Sequence, residues 1–291
     1  MSTTLLSKIE QKYPKLSKSH KKIADFILND YQKAAFYTAA KLGEVTDISE
    51  STVVRFATFM GFDGYPEFQE ALRENIKGKL TTLQRMDISS LKMVNEDVLT
   101  KVLNDDRSAI KETLSMVSRD MFYSAADAVN KAEKIYILGV RSSAPLANFM
   151  YFYFKMVYDN VILIDAAAAS EIFEDIFKIS DKDVCIAISF PRYSRQVVNT
   201  LKYVKEKGAE IIAVTDSESS PIAPFSKYLL TAKSSMNSFT DSLVAPLSLI
   251  NALVVASSLE KREETLGTFT ELENVWKKYG VYEDDGEYIN E

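Results

Sequence analysis

LGEVTDISESTVVRF, residues 42–56, reads as a helix, a tight turn and a second helix with a polar outer face. Apolar Leu42, Val45, Ile48, Val53 and Phe56 are spaced to pack inward. Asp47 stands where the chain must turn, and Asp tolerates a left-handed backbone better than most residues. Ser49 suits the N-cap of the second helix, with Thr52 three residues on. Ser51, Thr52 and Arg55 then point outward near the start of that helix. Short donors and an arginine there are what a helix needs to reach base edges and phosphates in a DNA major groove. The plain alternative is an αα-hairpin whose second helix is merely solvated, because patterns of this kind match many sequences by chance.

The segments on either side build a small helical domain around this stretch. Residues 4–13 read as a short helix ended near Tyr13-Pro14, and a second starts at Ser17 with Ile23, Phe26 and Ile27 at helical spacing. A helix over 35–43 leads into the turn, and the reader helix over 49–60 stops at Gly61. Gly61 and Gly64 then make a turn, and Pro66 suits the first turn of a helix carrying Phe68, Leu72 and Ile76. Residues 1–80 hold twelve Lys/Arg against ten Asp/Glu in a chain whose formal net charge is −6. Within them Lys8, Lys12, Lys15, Lys18, Lys21 and Lys22 face only Glu10, and local charge matters more than the total for DNA contact. Lys18, Lys22 and Tyr65 therefore join Ser49, Ser51, Thr52 and Arg55 as candidate DNA contacts.

The rest of the 291 residues is long enough for a second domain with its own core. At 46% hydrophobic and 26% charged residues, the composition is that of a soluble globular protein. The longest apolar stretch, residues 243–256, is interrupted by Pro246, Ser248 and Asn251 and is too short to span a bilayer. With no basic-then-apolar leader pattern either, a cytoplasmic location without membrane attachment is expected. One cysteine, Cys185, excludes an internal disulfide and any cysteine-rich zinc site. One histidine, His20, speaks against a histidine metal site or catalytic triad; His20 is expected at the surface, and no metal or cofactor is expected.

Residues 78–94 are polar and read as a linker, followed by helices over 95–118 and 119–132. From Lys134 strands alternate with helices, which implies a parallel sheet covered on both faces. Strands are expected at 134–139, 160–164, 183–189, 210–215 and 227–232, with helices at about 143–158, 169–178, 193–207 and 241–261. The fold class is thus α/β with an N-terminal all-α domain. The domain plan is 1–77, a linker at 78–94, an α/β domain over 95–277 and an acidic tail over 278–291.

Open α/β sheets bind ligands beyond the C-terminal ends of their strands. Two strand ends here are rich in hydroxyl and guanidinium groups: GVRSSAP from Gly139 and ISFPRYSRQ from Ile188. Each sets Ser side chains and backbone N–H groups at a helix start, where an anion is favoured. Candidate ligand residues are Gly139, Arg141, Ser142, Ser143, Ser189, Phe190, Arg192, Tyr193 and Ser194. Equally, Ser142, Ser143 and Ser194 are plausible helix caps, and the arginines plausible partners of surface acids.

Both halves resemble one family, the RpiR-type bacterial transcriptional regulators, in which a helix-turn-helix domain is joined to a sugar isomerase (SIS) domain. The likeness rests on LSKSHKKIADFIL, AAKLGEVTDISESTVVRF and MGFDGYPEFQEAL in the first half, and on KGAEIIAVTDSESSPIAPFSKYLL in the second. It implies a helix-turn-helix bundle followed by a parallel-sheet αβα SIS sandwich. It also implies double-stranded operator DNA and a sugar phosphate or related anion as partners, in a homodimer or homotetramer. A repressor is favoured by the resemblance alone. The departures bear on the ligand. The family's G-x-G-x-S loop reads Gly139-Val140-Arg141-Ser142-Ser143, and S-x-S-G-x-T reads Ser189-Phe190-Pro191-Arg192-Tyr193-Ser194. Arg141 and Arg192 replace glycines, so their side chains either enter the site or plug it.

Aldose–ketose isomerisation needs a positioned acid and base. The α/β half has no histidine, and Glu171, Glu174 and Asp175 are its nearest carboxylate cluster. These carboxylates sit more naturally on a solvated helix face, so no enzyme activity is expected. An isomerase and a SIS-type binding protein without a DNA role stand as the alternatives.

Overall fold

The computed structural model describes residues 5–76, 80–86, 97–164, 171–236 and 238–282. The chain divides into two units, Met1–Leu103 with Met236–Asp241, and Asn104–Ser235 with Ser242–Glu291.

In the first unit, α1 (Leu5–Lys12), α2 (Lys18–Asn29), α3 (Tyr31–Ala34), α4 (Ala39–Thr46), α5 (Glu50–Met60) and α6 (Tyr65–Ile76) enclose a core that includes Ile23, Ile27, Leu42, Val53, Phe56 and Phe68. The helix expected over 35–43 is two elements. Thr38 starts a new helix because its side chain accepts the Lys41 N–H at 3.1 Å, which caps α4. Val45, expected inside, is 39% exposed; Thr46 is buried instead, its hydroxyl donating to the Leu42 carbonyl at 2.7 Å. A hydroxyl with that internal acceptor is tolerated in a core.

The linker reading of 78–94 fails at its start. Leu80 is fully buried in this core, and residues 82–86 form a helical turn carrying Arg85, which is buried beside Asp241. Residues 87–96 lie outside the described residues.

The turn between α4 and α5 is closed by two backbone bonds, Ile48 N–H to Gly43 C=O at 2.9 Å and Asp47 N–H to Glu44 C=O at 3.3 Å. Asp47 is left-handed, with φ 54° and ψ 49°, as expected of it. Gly61 ends α5 in the same way, with φ 92°. A Cβ on Gly43 would lie 2.5 Å from the Ile48 carbonyl oxygen, a clash with backbone that no rotamer relieves. Gly43→Ala is expected to cost this unit about 1–3 kcal/mol, read by urea unfolding, the usual penalty for forcing extra volume into a packed site.

The second unit contains α7 (Val98–Met116, whose first residues belong to the other unit), α8 (Arg119–Lys131) and five parallel strands: β1 (Ile135–Gly139), β2 (Val161–Leu163), β3 (Val184–Ile188), β4 (Glu210–Thr215) and β5 (Tyr228–Thr231). The strand order is β2-β1-β3-β4-β5. Helices α9 (Ala144–Phe154), α10 (Glu171–Ile176), α11 (Arg195–Glu206), α12 (Val244–Glu260) and α13 (Arg262–Tyr279) complete it. Ile137, Ile186 and Val214 pack with α8, α9 and α12 on one face; Tyr136, Leu138, Cys185 and Ala213 pack with α10 and α11 on the other. This is a three-layer αβα sandwich. Helix α13 was not anticipated, because Gly267 and the neighbouring threonines blur its apolar repeat. Residues 283–291 of the expected acidic tail lie outside the described residues.

The strand order places the ligand loops. From β1 the chain runs to β2 on one side and later to β3 on the other, so the connections diverge between β1 and β3. Ligands of open α/β sheets occupy that crevice. Gly139 and Ile188 are register partners at the two strand ends, so the loops beginning at Val140 and Ser189 leave the sheet side by side.

Candidate functional site

Two separate surfaces carry the candidate residues. On α5, Ser51 and Arg55 are exposed and Thr52 is half-buried. Ser49 is the N-cap by position, but its hydroxyl pairs with the hydroxyls of Thr52 at 2.8 Å and Ser51 at 3.2 Å instead of capping the backbone. The Arg55 side chain lies back along the helix, with Nε 3.3 Å from the Ser51 carbonyl. That bond is exposed, so exchanging it for a base or phosphate costs little. Lys18 and Lys22 are exposed on α2, with Lys22 Nζ 3.5 Å from the Asp47 carboxylate.

Tyr65 does not belong with them. It is 5% exposed, and its hydroxyl donates to the Tyr37 carbonyl at 2.7 Å. Gln69 donates to the same carbonyl and Arg73 to that of Ala35, so this edge of α6 satisfies the backbone that follows α3. His20, expected at the surface, is half-buried against the rings of Phe56 and Phe59. Burial, and then the charge of Arg55, lower its pKa, so it is neutral at pH 7.

At the sheet, Ser143 and Ser189 are buried at the mouths of the two loops, while Arg141, Ser142 and Arg192 are exposed. Gly139 is where the strand meets α9: a Cβ there would lie 2.8 Å from both the Ala147 Cβ and the Ser143 carbonyl oxygen. Arg141 is held left-handed at φ 55°, which costs a non-glycine residue about 1–2 kcal/mol. It lines a cavity of about 620 Å³ together with Gly139, Asn148, Tyr151 and residues 161–164 of and after β2, on the side of β1 away from β3.

Ser194 is a cap, accepting the Gln196 N–H at 3.2 Å. Phe190 is 2% exposed and packs in the core under β1 and β3, so it supports the loop from below. The Tyr193 hydroxyl donates to Asp216 at 2.6 Å, and burial, then that carboxylate, raise its pKa. Both Phe190 and Tyr193 thus hold the loop's shape. Cys185 is fully buried, its thiol pushed up to about 12 by burial, and is no nucleophile at neutral pH. Glu174 is exposed and Asp175 half-buried on α10.

The comparisons with known proteins follow this division. Residues 3–79 match the helix-turn-helix domain of the rpiR family, and residues 128–256 match the SIS domain. The chain is an RpiR-type helix-turn-helix protein with a SIS domain. HexR of Escherichia coli K12, an HTH-type transcriptional regulator, is 26% identical over 229 residues, 75% of this chain and 74% of HexR. An uncharacterised HTH-type transcriptional regulator of Clostridium perfringens is 24% identical over 239 residues, 81% of this chain and 84% of its own. Among solved structures, the Vibrio vulnificus NanR protein complexed with ManNAc-6P aligns with 94% of this chain and 98% of its own at TM-score 0.58 and 21% identity.

One residue at the C-terminal end of the sheet lies outside those singled out from the sequence. Asp216 follows β4, the neighbour of β3, and accepts from both Tyr193 and, at 3.3 Å, Thr215. The run Thr215-Asp216-Ser217 at a strand's C-terminal end was the available signal.

Proposed function

We propose that this protein is a transcriptional repressor that binds operator DNA through α5 and senses a phosphorylated sugar or related anionic metabolite in its SIS domain. The observation that carries the ligand half is the pair of loops leaving register-matched β1 and β3, each bearing an exposed arginine and a serine at a helix start. Ser142, Ser143, Ser189, Ser194, Arg141 and Arg192 would hold the anion; guanidinium groups match phosphate bidentately. Lys18, Lys22, Ser49, Ser51, Thr52 and Arg55 would contact DNA. The transcriptional role of HexR and the sugar phosphate bound to NanR support both halves. A homodimer or homotetramer in the cytoplasm presents two readers to two half-sites. The effector shifts DNA affinity only by its differential affinity for the two states of the assembly.

A thermal-shift screen of sugar phosphates beside their unphosphorylated parents tests the ligand half. A ligand at one hundred times its Kd stabilises by about 2.7 kcal/mol, so a true effector raises Tm and its parent does not. Equal shifts from both would remove the phosphate from the argument.

Arg55→Ala is expected to leave the fold intact and weaken operator binding by about 1–3 kcal/mol, concentrated at one base position if the contact is to a base and uniform if to phosphate. Unchanged affinity for specific and random DNA alike would remove Arg55 from the interface. The purified protein is expected not to isomerise hexose or pentose phosphates; turnover lost on Glu174→Gln would promote the enzyme alternative.

A further inference from the structure

The outward face of α5 is not uniformly polar. Ser51, Val54, Arg55 and Thr58 fall within about one third of the helix circumference at 100° per residue, and all four are exposed. Val54 is 38% exposed at one edge of that face, whereas Val53 next to it is fully buried. Val54 therefore leaves more of its side chain to solvent than the core residue beside it. A β-branched residue there also lowers helix propensity relative to Ala. The Thr58 hydroxyl is occupied by the Val54 carbonyl at 3.3 Å, so the patch beside Arg55 has less free hydrogen-bonding capacity than its composition suggests. An exposed apolar group on a major-groove reader has one specific partner among the base edges, the C5-methyl group of thymine.

We propose that Val54 reads thymine, packing on its methyl group while Ser51 and Arg55, further round the same face, supply the polar contacts. This rests on the assignment of α5 as the DNA reader and adds a base preference to it. Val54 cannot donate a hydrogen bond, so its discrimination comes from methyl burial alone. Burying one methyl group is worth about fourfold in affinity.

The test uses the full-length protein and a random-sequence duplex library. Wild type and Val54→Ala are each carried through rounds of selection, and the winning duplex is remade with deoxyuridine in place of each thymidine in turn. Deoxyuridine lacks only the methyl group, so pairing is preserved. The expected result is a position where deoxyuridine weakens wild type about fourfold and leaves Val54→Ala unchanged, and where the variant's selected sequences no longer prefer thymine. Deoxyuridine that has no effect at any position, or that weakens both proteins equally, overturns the inference while leaving the reader assignment standing. Failure of wild type to enrich any sequence overturns the reader assignment and the inference with it.

Discussion

Asp241→Ala is expected to destabilise the first unit by about 3–5 kcal/mol, the usual cost of removing one partner of a buried ion pair. The Arg85 side chain is 2% exposed and that of Asp241 11%, with Nη1 and Oδ2 2.7 Å apart. Domains are stable by only about 5–15 kcal/mol in total, so this one change is expected to leave the unit partly unfolded at 37 °C. Hydrogen exchange across α4 and α5 reads the effect where it matters. The double variant Arg85→Met, Asp241→Leu is expected to recover most of the loss, because well-packed apolar residues often match or exceed a buried ion pair. If Asp241→Ala were as stable as wild type, the pair would be an incidental contact and Arg85 would be solvated on removal of its partner.

That pair also marks the limit of what the sequence conveyed. Arg85 and Asp241 are 156 residues apart, and Arg85 lies in a stretch without apolar periodicity, so nothing local announced that either is buried. The elements that were legible have local causes. The five strands lie inside their expected ranges because apolar runs between polar or turn residues define a buried strand. The α4–α5 turn was legible through Asp47, the left-handed residue, and Gly61 marked the end of α5. Partner choice was not legible. Tyr65 falls at a helix start with a polar tip, which suits a DNA contact as well as a buried donor; only the position of the Tyr37 carbonyl decides between them. Ser49 has the residue type of a cap, but Thr52 and Ser51 offer its hydroxyl nearer partners. Val45 and Thr46 exchange inside for outside because α4 starts at Ala39, after the Thr38 cap, and a helical face is set by where its first turn begins.

The ligand loops give the other large expected effect, and two arginines allow it to be separated from mere damage. Arg192→Ala is expected to weaken the sugar-phosphate effector by about 1.5–3 kcal/mol, the range for a hydrogen bond to a charged group, which is roughly 10- to 150-fold in Kd. It should spare DNA binding by the unliganded protein, because Arg192 is exposed and lies far along the chain from α5 in a different unit. Arg141→Gly is the sharper variant. Glycine adopts φ 55° without steric penalty, so this change relieves backbone strain while removing the charge. Thermal melting without ligand is therefore expected to hold or rise, while calorimetry shows effector affinity to fall. The two readouts moving in opposite directions are what a residue held in a costly conformation for its ligand predicts. Arg141→Ala keeps the strain and loses the charge, so it should match the glycine variant in affinity and lie below it in Tm. Affinity unchanged in all three variants would sink the arginine role and return the phosphate to the serines and backbone N–H groups alone. Affinity gained on truncation would mean that the side chains obstruct the ligand's place at the strand ends, and that the ligand occupies the space they vacate.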